Sequence, residues 1–235
     1  MAELLAADKV VGHIGGRYEF GPRALGCRSI LANPGPYDNW PRINQRVKFR
    51  EDFRPFAPMM LPEEAERLWG DHSKPTASPH MLLAPRTNAL MGENLRAVVH
   101  KDSTSRIQTL DQETNPFLHA VLLEMKRRTG FGVLLNTRLN MSGESIISEH
   151  LDLLMFLAMS EMDAICLDGV LVEKIGNEAA LNRLADQIGD RAAYLDRRPS
   201  AYRAYLARRG YDEHQPYTLA EFYRDALAED EIPPG

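Results

Sequence analysis

GRYEFGPRALGCRSILANPGPYDNWPRINQRVKFREDFRPFAP, residues 16–58, packs guanidinium groups among prolines and glycines. Arg17, Arg23, Arg28, Arg42, Arg46, Lys48, Arg50 and Arg54 give eight positive charges, against four negative ones from Glu19, Asp38, Glu51 and Asp52. The stretch is therefore net +4 within a chain of formal charge −5. An acidic chain that concentrates arginines beside rigid turns is expected to gather them around a small anion. Phosphate fits best, because the flat guanidinium fork meets its oxygens two at a time.

Outward from this stretch, 235 residues suffice for one large domain or a domain with an appendage. Apolar residues at 44% and charged residues at 26% are ordinary for a soluble globular chain. The longest apolar run, Leu151 to Met159, is interrupted by Asp152 and is too short to span a bilayer. The acidic start MAELLAADK lacks the apolar core of a secretory signal. With Cys27 and Cys166 as the two cysteines, no disulfide framework is expected, and the default expectation is a reducing, cytoplasmic location. Net negative charge argues against broad nucleic-acid binding, although a local basic patch leaves RNA open.

The pattern predicts an α/β or α+β domain over residues 1–175. Residues 1–8 read as the end of a helix, followed by strands at Val10–Ile14 and Ser29–Ala32. Tyr37 to Phe49 reads as a helix with Trp40, Ile43 and Val47 on its apolar face. Pro55–Leu61 is expected to be extended, and Pro62-Glu63-Glu64 to open a helix. Residues 70–79 and 85–94 read as loops around a strand at His80–Ala84, with another strand at Val98–His100. A helix from Asn115 to Arg128, closed by Gly130, leads into a buried strand Val133–Leu135. Ser148 caps a helix Glu149–Met159, and a hairpin turns at Asp168-Gly169. Residues 176–235 are expected to form a helical tail that starts with Glu178–Ile188. Between Asp212 and Glu231 it carries seven acids against Arg224, which suits a docking surface or a solvated cap.

Arg23 follows Gly21-Pro22, a pair that fixes a bend and lets backbone approach a ligand. Arg28 stands beside a buried strand. Each arginine is open to two readings, a phosphate ligand or an ordinary solvated or ion-paired side chain. Lys48 and Arg50 share a face only if their segment is extended. Arg54 is fenced by Phe53 and Pro55, with Glu51 and Asp52 as alternative partners. Arg106 closes a hydroxyl-rich turn in which Ser103, Thr104 and Ser105 either donate to phosphate or make local turn bonds. Asn136-Thr137-Arg138-Leu139-Asn140 follows a buried strand end, where α/β sheets present ligand groups.

Other chemistries are discounted. No P-loop pattern and no G-x-S-x-G elbow occurs. The seven histidines never take a H-x-x-x-H or H-E-x-x-H spacing, so no dedicated protein metal site is expected. Cys27 reads as a small buried thiol or as an activated thiolate beside the basic cluster.

The motif Glu19-Phe20-Gly21-Pro22-Arg23-Ala24-Leu25-Gly26, continued by Arg28-Ser29-Ile30-Leu31-Ala32, resembles the signature of the C-terminal domain of NodU/TobZ-type O-carbamoyltransferases. Ile43-Asn44, Val47-Lys48, Arg50-Glu51, Phe53-Arg54-Pro55-Phe56-Ala57-Pro58, Asp102-x-Thr104-x-Arg106-x-Gln108-Thr109, Thr129-Gly130, Leu135-Asn136-Thr137, Asn140 and Gly143-Glu144 follow in the family order, over about residues 9–174. The resemblance implies a YrdC-like domain with a twisted mixed sheet, flanking helices and a basic concave surface. It implies that ATP and carbamoyl phosphate bind there and yield carbamoyl adenylate, with Mg²⁺ bound to the nucleotide. A separate actin-like ATPase-fold domain carrying a metal, or a partner chain, then moves the carbamoyl group to a hydroxyl. A non-catalytic nucleotide- or anion-binding module of the same fold, and a YrdC-like RNA-binding protein, are the alternatives. Carried over by motif, Arg23, Lys48, Arg54 and Arg106 are expected to be catalytic. Arg28, Arg50, Thr104, Asn136, Arg138 and Asn140 are expected to hold ATP or carbamoyl phosphate.

Two motifs depart from the family. Asn-Thr-Ser-Phe-Asn becomes Asn136-Thr137-Arg138-Leu139-Asn140, which puts a long cation in place of a small hydroxyl. Asp-Gly-Thr becomes Asp102-Ser103-Thr104, which calls a glycine-specific backbone geometry into question. Residues 1–15 alone precede the signature, so transfer is expected to need a neighbouring domain or a partner chain, or to be lost.

Overall fold

The computed structural model describes residues 1–187 apart from Phe20, Asp52, 70–76, 141–144 and 148–149. In chain order these form α1 (Ala2–Ala6), β1 (Val11–Ile14), β2 (Arg28–Ala32) and α2 (Asn39–Pro41), which runs on as a π-helix over Arg42–Val47. Then come β3 (Ala57–Met60), α3 (Pro62–Leu68), α4 (Ala89–Asn94), a 3₁₀ turn (Arg96–Val98) and β4 (Gln108–Thr109). The remainder is α5 (Pro116–Thr129), β5 (Val133–Arg138), α6 (His150–Met159), β6 (Ala164–Leu167), β7 (Val170–Glu173) and α7 (Glu178–Gln187).

The strands form one seven-stranded sheet in the order β4-β3-β5-β2-β1-β6-β7. It is mixed: β1–β6 and β3–β4 are parallel and the other neighbours antiparallel. Helices flank both faces, so β1 and β3 are buried along their whole length rather than alternating. On one face Leu5 of α1 and Leu118, Leu122 and Met125 of α5 pack over Val11, Leu31, Met59 and Leu134. On the other, Trp40, Ile43, Leu68, Met91, Leu153 and Phe156 pack over Ile14, Ile30, Met60 and Leu135. This is the mixed sheet with flanking helices that the sequence leads one to expect.

Local signals account for the element ends. The Asn115 side chain accepts from Leu118 N, Pro116 occupies the first turn of α5, and Gly130 takes the left-handed conformation at its end. Asp168 and Gly169 both have positive φ, as a two-residue hairpin turn requires.

Three local expectations are corrected. His80–Ala84 is not a strand, because Met81 has φ 57° and turns the chain over. Val98–His100 is not a strand either. Val98 ends the 3₁₀ turn, and its carbonyl accepts from Ser105 Oγ at 2.6 Å rather than from a neighbouring strand. Residues 85–94 are not all loop: the Asn88 side chain accepts from Met91 N and starts α4, which sends Met91 into the core. The Ser148 cap and the tail beyond α7 lie outside the described residues. α7 itself brings Leu181 into the same core as α6. No helix among the described residues is long and apolar enough to cross a membrane.

Lys174, just beyond β7, donates to Ser160 O at 2.7 Å and to Ala158 O at 3.3 Å. Burial is the main cause that lowers its pKa to about 7, opposed by Glu161, Asp163 and Glu178. An unfolded lysine titrates near ~10.4, so between about pH 7 and 10 the unfolded chain binds more protons. Lys174 therefore favours folding progressively as pH rises through that window, and its cost is fully present below it. Thermal unfolding of wild type and Lys174→Met should show the wild type gaining on the variant from pH 7 to 9.5. Parallel profiles would mean that the ammonium is not desolvated.

Candidate functional site

The loop from Glu19 to Arg28 lies over the α5 face of the sheet and is held from both sides. Glu19 Oε1 accepts from Leu25 N at 2.5 Å and from Cys27 N at 2.9 Å, and Oε2 accepts from Arg28 N at 3.0 Å. Three consecutive carbonyls of the same loop are taken by buried side chains from three strands. Asn136 of β5 donates to Ala24 O at 3.0 Å, Gln108 of β4 donates to Leu25 O at 2.7 Å, and His13 of β1 bonds Gly26 O through Nδ1 at 2.7 Å. A Cβ on Gly26 would lie 2.8 Å from Leu118, so glycine lets the loop approach α5. His13 stacks on Phe117 of α5, and burial lowers its pKa against the opposing bond to Gly26. A loop fixed by six such bonds offers Arg23 to solvent from a defined frame.

Around that frame the structure collects cations. Burial first, then the charges of Arg23 and Arg138, lower the Arg106 pKa. Burial first, then Arg54 and Arg138, lower that of Arg50 to about 10, with Glu51 opposing. Arg138 thus links Arg23 and Arg106 to Arg50 and Arg54 in one field. Arg54 pairs with Glu51 at 3.0 Å, whereas Arg23, Arg50, Arg106 and Arg138 have no ion pair among the described residues. Asn44 organises one side: its Oδ1 accepts from Arg50 Nε at 2.7 Å and its Nδ2 donates to Arg54 O at 3.0 Å. Like charges held together without carboxylates repel, and an anion relieves that repulsion.

The other expected site residues sit differently. Lys48 is 2% exposed and directs Nζ to Asn140 Oδ1 at 2.6 Å, Arg138 O at 2.8 Å and Asn140 O at 3.0 Å. It follows the π-helix, and Phe49 has φ 51°, so Lys48 and Arg50 share neither a strand face nor a helix. Arg28 turns its Nη1 to Cys27 O at 2.9 Å and lies over the Tyr18 ring. Thr104 closes a turn with Asp102 Oδ1 at 2.7 Å and His100 Nδ1 at 2.9 Å. Ser103 adopts φ 62° there, so the left-handed geometry is kept without glycine. Burial and Glu19 both raise the Cys27 pKa and Arg28 only partly opposes them, which leaves no activated thiolate.

Glu19, Gln108 and His13 build the site although the sequence alone assigns them no role in it, Glu19 and Gln108 standing there only as members of the family motifs. Glu19 stands in the sequence as a negative charge and as the first residue of the family motif, with no sign there that it binds amides six to nine residues on. A histidine inside the apolar run Val10-Val11-Gly12-His13-Ile14 was a visible signal for a buried polar anchor. Glu19→Gln puts an amide N–H against Arg28 N–H, so it should lower stability by about 1–2 kcal/mol. Thermal unfolding checks this, and an unchanged midpoint would remove Glu19 from the frame.

Comparison with known proteins adds a family. The model described as "Carbamoyltransferase C-terminus" matches residues 2–174. Nodulation protein NolO of Bradyrhizobium diazoefficiens is 39% identical over 173 residues, covering 74% of this chain and 32% of that protein. The 3'-hydroxymethylcephem-O-carbamoyltransferase of Streptomyces clavuligerus is 38% identical over 162 residues, covering 69% of this chain and 30% of that protein. An uncharacterized protein of Methanocaldococcus jannaschii is 36% identical over 173 residues, with 74% and 28% covered. The chain thus spans less than a third of the length of these relatives.

Proposed function

Starting from a chain that belongs to the carbamoyltransferase C-terminus family, we propose that this domain activates carbamoyl phosphate with ATP for transfer to a hydroxyl. Water cleaves carbamoyl phosphate to carbamate, phosphate and a proton. A carbamate oxygen then attacks the α-phosphorus of ATP, and pyrophosphate leaves, giving carbamoyl adenylate. Transfer to the acceptor falls to an actin-like ATPase-fold domain or a partner chain. One relative is named an O-carbamoyltransferase, which supports the reaction class.

The observation that carries this reading is the coupled group Arg23, Arg50, Arg54, Arg106 and Arg138, with Glu51 as its one ion-paired acid among the described residues. Two polyanionic reactants repel each other, and fixed cations offset that repulsion before in-line attack. Arg23 and Arg106 would face the phosphoryl oxygens, while Arg50 and Arg54 flank them from the Asn44 side. Lys48 and Asn140 would set the end of β5 and so aim Arg138. The donor set is guanidinium rather than carboxylate, so Mg²⁺ would arrive on the triphosphate oxygens, where it lowers their charge.

Incubating the chain with ATP, Mg²⁺ and carbamoyl phosphate should release phosphate and pyrophosphate in equal amounts. Absence of both nucleotide binding and pyrophosphate would overturn the reading. Arg138 itself favours a second one, a non-catalytic anion-binding module, because it adds a long cation whose charge acts on both Arg50 and Arg106. Calorimetric nucleotide binding without pyrophosphate would establish that module instead.

A further inference from the structure

Thr104 is engaged by two side chains at once. Its Oγ1 donates to Asp102 Oδ1 at 2.7 Å and lies 2.9 Å from His100 Nδ1. The bonds from Thr104, that of its side chain first, hold the Asp102 pKa below its ordinary value, so the group is a carboxylate at neutral pH. A carboxylate only accepts, and a threonine hydroxyl has a single proton, so that proton points to Asp102. His100 Nδ1 must then carry the N–H of its own contact with Oγ1, since two lone pairs would otherwise face each other. Thr104 has no proton left for a phosphoryl oxygen. What it fixes instead is the tautomer of the histidine. The lone pair is left on His100 Nε2, which has no partner among the described residues and is not one of the buried orphaned atoms, so it is open to solvent.

The turn does not need this contact to close. His100 N donates to Thr104 O at 2.8 Å, Ser103 N to His100 O at 3.0 Å, and Thr87 N to Ser103 O at 2.9 Å. Asp102 Oδ1 also accepts from Thr104 N at 3.0 Å. Arg106 stands two residues further on, and its charge acts on His100 while it feels those of Arg23 and Arg138. The half-buried imidazole therefore borders the arginine cluster. Burial lowers its pKa, Asp102 opposes and Arg106 adds to the lowering, so the ring is mostly neutral at pH 7. Lys101 beside it and Arg86, bridged to Thr104 through the backbone, are exposed.

We propose that His100 Nε2 is the general base for the water that cleaves carbamoyl phosphate, with Thr104 and Asp102 as positioning residues that keep the lone pair on that nitrogen. The assignment rests on the function proposed above and adds where the proton goes. The water oxygen bonds to phosphorus, the bond from phosphorus to the carbamoyl oxygen breaks, and its electron pair leaves with carbamate. The proton of the water passes to Nε2, which gives phosphate, carbamate and an imidazolium that later returns the proton to solvent. A neutral ring costs the arginine cluster no further repulsion before the reaction. The cation that forms afterwards faces the phosphate just released.

Nitrogen NMR of the histidine-labelled chain, with His100→Gln to assign the signal, should show the His100 proton on Nδ1 in the wild type at neutral pH. Asp102→Ala should move it to Nε2, because Thr104 is then free to donate to Nδ1. Phosphate release from carbamoyl phosphate in the presence of MgATP should rise with pH through a value below the ordinary ~6.5 of histidine and level off above it. His100→Gln should release phosphate about 100-fold more slowly and lose that rise. Free imidazole should restore part of the rate to His100→Ala, which it would not do for a histidine that only shapes the turn. If neither His100 variant folds, Asp102→Ala and the wild-type tautomer decide. A wild-type proton on Nε2, or full phosphate release by His100→Gln, overturns the base and leaves the reaction standing. Wild type that releases neither phosphate nor pyrophosphate removes the reaction, and the base with it.

Discussion

Arg106→Met lowers pyrophosphate release by a factor of about 10²–10³, the cost of removing one preorganised donor from a developing charge. Methionine keeps most of the apolar stem and discards the guanidinium. Arg106 is half-buried, has an orphaned Nε and feels the like charges of Arg23 and Arg138 without an ion pair among the described residues. Its charge therefore burdens the empty fold and is useful only against an anion. The thermal midpoint should accordingly stay level or rise while turnover falls. Steady-state pyrophosphate assays beside thermal unfolding measure both. Full turnover in the variant would place the reaction elsewhere.

Lys48→Met acts on the opposite quantity and lowers stability by on the order of 3 kcal/mol, since three acceptors lose a charge-assisted donor in the interior. Those acceptors are Arg138 O, Asn140 O and Asn140 Oδ1, so the end of β5 loosens and Arg138 loses its aim. Lys48→Arg should not restore the midpoint, because a planar fork cannot replace a compact ammonium there. Denaturant unfolding gives the answer. A variant as stable as wild type but inactive would show that Lys48 touches the reactants instead.

Much of this fold could be read from periodicity and punctuation. Val133-Leu134-Leu135, the Asn115-Pro116 start and Gly130 stop of α5, and Asp168-Gly169 each state a local preference that packing does not override. The stretch that misled is 80–100. Its apolar residues reach the core through a 3₁₀ turn and a left-handed Met81, and their backbone bonds go to side chains and turns rather than to a ladder. The π-helix of Arg42–Val47 was read as an ordinary helix, because the apolar spacing of Trp40, Ile43 and Val47 suits both forms.

The charged half of the site was legible because charge density survives in a one-dimensional list. Its neutral half was not. Gln108 and His13 matter because strand pairing sets them beside the loop, and only the pairing of β4 with β3 and of β1 with β2 shows that. For Arg28 and Lys48 the structure adds what their type does not state: Arg28 Nη1 donates to Cys27 O, and Lys48 Nζ donates to Arg138 O, Asn140 O and Asn140 Oδ1.

The idea that arginines from four separate segments act as one receptor for a polyphosphate is tested most directly by titrating the chain with MgATP at low and at physiological salt. Saturable binding that weakens steeply as salt is added, and is lost when Arg23 and Arg106 are both replaced by methionine, is the expected result. Binding indifferent to salt and to those two residues, or no binding at either ionic strength, would contradict it.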